Sequence, residues 1–191
     1  LGADVVAVEP HPGNAARVRR NAKINGFDDR VLVCNVAAWH EQATLDFFSR
    51  AADTGGSALW NDGGQRKTTV QAQRLDYLLA FERPRMPHMM KIDVEGAEEH
   101  VVDGLGDCHP EYVTCELYPY ALDKMGSSQG NLRKKMREHG YDMFTLSDTG
   151  EKPKFVPENE YLRPHIIANV LFSTQAAVDE AWGEQRVEAA E

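Results

Sequence analysis

The opening of the chain constrains the fold more than any other stretch. The segment from Asp4 to Val8 is a short apolar run rich in valine that ends in Glu9-Pro10, the pattern of a strand buried on both faces of a parallel sheet. Pro12 then suits a first helical turn. Ala15, Val18, Ala22 and, less regularly, Ile24 supply an apolar stripe, and Asn25-Gly26 supplies a stop. After the polar turn Asp28-Asp29-Arg30, Val31 to Val36 reads as a second apolar strand. Strand, helix and strand in that order imply a right-handed crossover and a parallel pair.

The rest of the chain continues the alternation. Ala43 to Phe48 and Thr68 to Gln73 alternate apolar and polar, with a Gly- and Asp-rich loop from Asp53 to Gly64 between them, so an antiparallel excursion is expected. Leu75 to Leu79 begins a short helix ended by the Pro84 and Pro87 region, and Met89 to Val94 is another buried strand. Gly96 opens a helix to about Asp103, closed by Gly104. Tyr112 to Leu117 is a strand, Leu132 to His139 a basic amphipathic helix, and Tyr141 to Leu146 and Ile166 to Phe172 are the last strands. The pattern predicts an α/β doubly wound domain, with a mixed sheet and an antiparallel edge. At 191 residues the chain fits one domain, taken as 1–174, with 175–191 a polar, frayed helical tail.

Composition narrows the function. No apolar run approaches the roughly 20 residues that cross a bilayer. The net charge of -9 opposes a nucleic-acid partner, whose phosphates call for Lys and Arg, and favours a small or carbohydrate-like substrate. Cys34, Cys108 and Cys115 show no metal-ligand spacing. They read as reduced thiols in a cytoplasmic protein.

In open α/β sheets ligands sit beyond the carboxyl ends of the strands, which singles out Glu9, Asn35, Asp93, Glu95 and Glu116. Glu9, at a strand end before a helix, is where a nucleotide-binding sheet places a carboxylate for a ribose diol. An exposed strand end can also carry a Glu for no such reason. Lys91, Asp93 and Glu95 alternate at period two and would project to one side. For Lys91 the expected role is an ion pair with a carboxylate; for Asp93, at the mouth of the sheet, a functional role leads. Glu95, Glu98 and Glu99 near a helix N-terminus are favourable capping, and although such carboxylates could hold a cation, no ligand spacing demands one. Asp53-Thr54-Gly55-Gly56-Ser57 is equally a lid and a solvated hairpin connection. The seven histidines show no paired spacing; His88 and His165, each beside a strand start, are expected at the end of the sheet away from the chemistry. The basic runs Arg17 to Arg20 and Arg133-Lys134-Lys135 read as solvated helix faces.

Two of these stretches carry a family likeness. Val6-Ala7-Val8-Glu9-Pro10-His11-Pro12, followed by Asn21 and Asn25-Gly26, resembles the second motif of FkbM-like methyltransferases. Lys91-Ile92-Asp93-Val94-Glu95-Gly96-Ala97-Glu98 resembles that family's most distinctive motif. Val36-Ala37, Gly56-Ser57-Ala58-Leu59 and Arg74 to Leu79 fall between them in the family order. The resemblance implies a Rossmann-like class I methyltransferase sheet with helices on both faces, using S-adenosylmethionine. It implies that Glu9 and Pro10 lie at the cofactor ribose, Asn35 and Val36 near the adenine, and Asp93 beside the sulfonium. Asp93 and Glu95 are then the catalytic candidates, with O-methylation of a hydroxyl as the expected reaction.

The family's first strand and glycine-rich turn would precede residue 1, so the chain is expected to lack the central strand of that sheet and to bind cofactor poorly as it stands. Two other readings stay open: a non-catalytic Rossmann-like binding module, and another nucleotide-using α/β enzyme such as a dehydrogenase.

Overall fold

The structure, a computed structural model, describes residues 2–49, 58–61, 63, 66–82 and 86–183. The chain divides into two compact units, Leu1–Arg85 with Asp103–Asp107, and Met86–Val102 with Cys108–Glu191.

The first unit begins with β1 (Val5–Val8), α1 (Pro12–Ile24) and β2 (Val31–Cys34). β1 and β2 pair in parallel, Val5 opposite Val31 through Val8 opposite Cys34, the strand-helix-strand unit that the valine runs call for. Pro12 occupies the first turn of α1, the His11 side chain accepts from the Asn14 N–H, and Gly26 follows the C-cap at φ 72°, a conformation open to glycine because it has no Cβ. The second strand is shorter than its apolar run. It ends at Cys34, and the chain bends at Val36 so that β3 (Ala37–Ala38) can pair in parallel with β5 (Arg66–Gln73). β4 (Ala43–Ser49) pairs antiparallel with β5, Leu45 opposite Val70 and Phe47 opposite Thr68, and the period-two alternation buries Phe47, Val70 and Ala72. The stretch Asp53 to Ser57, read as a lid or hairpin connection, lies outside the described residues. α2 (Leu75–Glu82) closes the unit.

The second unit carries a five-stranded sheet in the order β6-β7-β10-β8-β9, made of β6 (Met89–Ile92), β7 (Tyr112–Leu117), β8 (Asp142–Thr145), β9 (Lys154–Phe155) and β10 (Ala168–Ser173). β6 and β7 are parallel, while β10 runs antiparallel to both β7 and β8. The sheet is mixed with an antiparallel edge as expected, but that edge is the two-residue strand β9, antiparallel to β8, which no sequence pattern marks, and β10, antiparallel to both its neighbours, is interior. β10 needs no helical crossover because it enters from the long irregular stretch after β9. Helices α3 (Glu98–Asp103), α4 (Pro119–Lys124) and α5 (Gln129–Glu138) follow β6 and β7 in the chain.

Alternation divides the residues of β7. Val113, Cys115 and Leu117 are buried, as are Leu122, Leu132 and Met136 on α4 and α5. Tyr112, Thr114 and Glu116 point the other way. There Phe144, Leu171 and Val178 form a buried cluster with Tyr112 and Trp182 against it. Val178 belongs to α6 (Gln175–Gly183), so the segment read as a frayed tail begins as a packed helix. Burying a Val, Leu or Phe side chain contributes about 2 kcal/mol, enough to fix this helix on the sheet.

Candidate functional site

The residues singled out in the sequence fall into one group in each unit. In the first, Glu9 follows β1 and its N–H donates to the Cys34 carbonyl, extending the β1–β2 pairing by one residue. Its carboxylate Oε1 accepts the His11 N–H at 2.7 Å. Asn35 follows β2, and its Nδ2 donates to the carbonyls of Glu9 at 2.8 Å and Pro10 at 2.9 Å. Glu9, Pro10 and Asn35 are therefore knit together at the carboxyl ends of two parallel strands, with Val36 in the bend beyond. One N–H uses only part of what a carboxylate can accept, which leaves Glu9 capacity for a diol.

In the second unit β6 stops at Ile92, two residues before its apolar run ends, because the backbone turns. Glu95 has φ 54° and Gly96 φ 101°, consecutive left-handed residues that end an extended strand. Glycine is required at 96 for a second reason, since a Cβ there would collide with the backbone carbonyl of Ala121 in α4. The turn brings carboxylate oxygens of Asp93, Glu95 and Glu116 within 4.8 Å of one another. Asp93 stands one step beyond the last β6–β7 register pair, Ile92 opposite Cys115, which puts it beside Glu116.

Lys91 balances part of this charge. Its Nζ lies 3.0 Å from Asp93 Oδ2 and 3.3 Å from Asn169 Oδ1, which realises the expected ion pair. Asn169 is opposite Glu116 in the β10–β7 register, so Lys91, Asp93, Glu116 and Asn169 share one face of the sheet. Burial, followed by the negative charge of Asp93, raises the Glu116 carboxyl above its ordinary pKa, and Lys91 opposes the shift. Three carboxylates at this spacing could embrace a cation, yet exposed acidic groups commonly cluster without one.

Several residues around the cluster were misjudged or missed. His165, expected at the far end of the sheet, is at the carboxyl end of β7, because β10 is antiparallel and Ala168 sits opposite Leu117. There Tyr118 and Tyr120 have ring centroids 5.7 Å apart, and Tyr120 and His165 also 5.7 Å. His88, before β6, is at the amino end as expected and approaches Glu111 at 3.1 Å. Arg133, read as part of a solvated basic face, is buried, and its guanidinium donates to the carbonyls of Val156, Pro157, Glu158 and Glu160. Glu98 is 2 % exposed; its Oε1 accepts the N–H groups of Val94 at 3.4 Å and Gly96 at 3.1 Å. Glu99 accepts the Ser127 hydroxyl, and its Oε1 lies 3.1 Å from Lys135 Nζ. Cys34, Cys108 and Cys115 form no disulfide among the described residues.

The family profile described as the methyltransferase FkbM domain matches residues 1–143. The chain belongs to the FkbM methyltransferase family. That match takes in both residue groups described above. Among curated proteins none matches the chain. Among solved structures, methyltransferase FkbM from Methylobacillus flagellatus superposes with a TM-score of 0.49 at 14% identity, over 88% of this chain and 36% of that one. This FkbM-family chain thus spans little more than a third of that relative. No helix among its described residues is long and apolar enough to cross a membrane.

Proposed function

We propose that the protein carrying this chain is an S-adenosylmethionine-dependent methyltransferase that methylates a hydroxyl on a small or carbohydrate-like acceptor, in the cytoplasm. Family membership supports methyl transfer. The observation that carries the assignment of a site is the convergence of Asp93, Glu95 and Glu116 at the carboxyl ends of two parallel strands, where open α/β sheets hold ligands. The finer architecture proposed is the Rossmann-like class I sheet.

Each of the two residue groups, taken by itself, suits a part of the cofactor. Glu9 retains acceptor capacity for a ribose diol, and Asn35 with Val36 adjoins it for the adenine. Asp93 would supply negative charge for the sulfonium. The cofactor itself supplies an activated methyl group, so the protein mainly aligns the acceptor and excludes water. Asp93 and Glu95 orient the acceptor hydroxyl and take up its proton. Glu116, whose affinity for a proton is raised by burial and by Asp93, is suited to share that proton.

Calorimetric titration of S-adenosylmethionine tests the reading, with this chain and a form extended upstream of Leu1, each also as Asp93→Ala. Binding by either form, weakened at least about tenfold by the substitution, supports it. Two folded forms that bind no S-adenosylmethionine would overturn it in favour of a non-catalytic module; binding of nicotinamide cofactor instead would favour a dehydrogenase.

A further inference from the structure

We infer that Glu98 is a positioning residue for the acidic site: its buried carboxyl clamps the turn between β6 and α3, and so imposes the left-handed conformation at Glu95 that gathers Asp93, Glu95 and Glu116. The inference rests on the reading of that cluster as the methyl-transfer site.

Left-handed backbone at a residue other than glycine is uncommon, and it persists only where surrounding structure determines it. Glu95 has that conformation at φ 54°, and the groups that determine it are close by. Glu98 Oε1 accepts the N–H before Glu95, from Val94, and the N–H after it, from Gly96. One oxygen thus holds the N–H groups of the two residues on either side of the strained one, a concave arrangement of backbone N–H groups of the kind that cradles an anion. On its other side the turn meets α4, since Gly96 packs against the Ala121 carbonyl too closely to admit a Cβ.

Glu98 Oε2 is buried and has no hydrogen-bond partner among the described residues. A buried polar atom without a partner is costly. A leucine of similar volume at this position would avoid that cost while losing the carboxylate's bonds to backbone N–H groups, those of Val94 and Gly96 among them. The placement of Glu98 is accounted for by what Oε1 does for the turn. The neighbouring Glu99 is engaged elsewhere, with Ser127 and Lys135, and so does not duplicate the clamp.

The test compares Glu98→Gln, which keeps an acceptor oxygen in place, with Glu98→Leu, which removes it and keeps the bulk. Amide hydrogen exchange at Val94 and Gly96 is read by NMR, and S-adenosylmethionine affinity by calorimetry on the form that binds it. In Glu98→Leu both amides should exchange at least about tenfold faster and affinity should fall by a similar factor. Glu98→Gln should stay within about threefold of the parent in both measurements. Equal behaviour of the two variants, or unchanged exchange in Glu98→Leu, overturns the clamp. Faster exchange in Glu98→Leu with unaltered affinity would show that the clamp does not position the site, and overturns the inference in that respect. Should Glu98→Leu not fold, Glu95→Gly is added to it, because glycine takes the left-handed conformation without cost. Recovery of the fold supports the clamp and failure to recover it counts against it. If the parent protein binds no S-adenosylmethionine, the methyltransferase reading fails while the exchange data still judge the clamp.

Discussion

Replacing Glu98 with glutamine should change how the stability of this protein responds to pH. The carboxyl is 2 % exposed, and its burial raises the pKa from 4.5 to about 7, even though the N–H groups of Glu98 itself, Gly96 and Val94 pull the other way. Glu116 on β7 adds to the rise, and the buried Cys115 thiol beside it is itself held neutral by burial. Between about pH 4.5 and about pH 7 the unfolded chain has lost this proton and the folded protein keeps it. The folded state therefore binds more protons, and stability falls as pH rises through that window. At about 1.4 kcal/mol for each tenfold change in proton activity, the full loss is about 3 kcal/mol, complete above roughly pH 8. Glutamine resembles the protonated acid and does not titrate, so Glu98→Gln lacks this loss. Urea unfolding followed by circular dichroism at a series of pH values, for both proteins, gives the difference directly. Subtracting one profile from the other removes the histidines and the other carboxylates they share. The difference should rise in favour of the variant by about 3 kcal/mol from roughly pH 4.5 to roughly pH 8. Parallel profiles, or a difference that grows toward low pH, would refute the account of Glu98 as a buried carboxyl held protonated.

Substitutions at three further positions probe the same unit. Gly96→Ala places a Cβ against the Ala121 carbonyl at a residue with φ 101° and should lower the unfolding free energy by roughly 3 kcal/mol or more, read as a fall in the urea midpoint. Arg133→Met strips the donor from four backbone carbonyls and should cost about 3 kcal/mol in the same assay, with Arg133→Lys recovering only part because a single ammonium cannot reproduce the guanidinium fork. Val178→Ala, in the cluster with Phe144 and Leu171, should cost about 2 kcal/mol; a loss below roughly 0.5 kcal/mol would show that α6 is not part of the core.

The strand-helix-strand opening was legible because each boundary has its own chemical mark: the valine runs, Pro12 at the helix start and Gly26 after its end. The β4–β5 hairpin was legible from alternation, which register and burial follow. What stayed hidden was short or directional. β3 and β9 have two residues each, too few to show a period. α4 has six, and only Pro119 after Tyr118 marked it. The direction of β10 has no signature in its apolar run, so His165 was assigned to the wrong end of the sheet, and with it the Tyr118, Tyr120 and His165 rings were missed.

The acidic motif shows why local charge misleads about a site. Read as a strand with period two, Lys91, Asp93 and Glu95 line up on one side, and three glutamates nearby look like capping of a helix N-terminus. Both inferences assume that an ionisable residue near an element's end faces water. Glu98 breaks the assumption because its two backbone donors are created by the turn it stabilises: without φ 54° at Glu95 and φ 101° at Gly96, the N–H groups of Val94 and Gly96 would not converge on one oxygen. Arg133 breaks it likewise, since its four carbonyl partners come from an irregular segment more than twenty residues away. In each case a charged side chain is buried by tertiary partners that no helical or strand period encodes. The one sequence sign available at Glu98 was Gly96, since a glycine directly after a run of strand residues signals a backbone bend. A bend there must end the period-two reading at Ile92 and leave Asp93 and Glu95 to be gathered by the turn instead of by the strand.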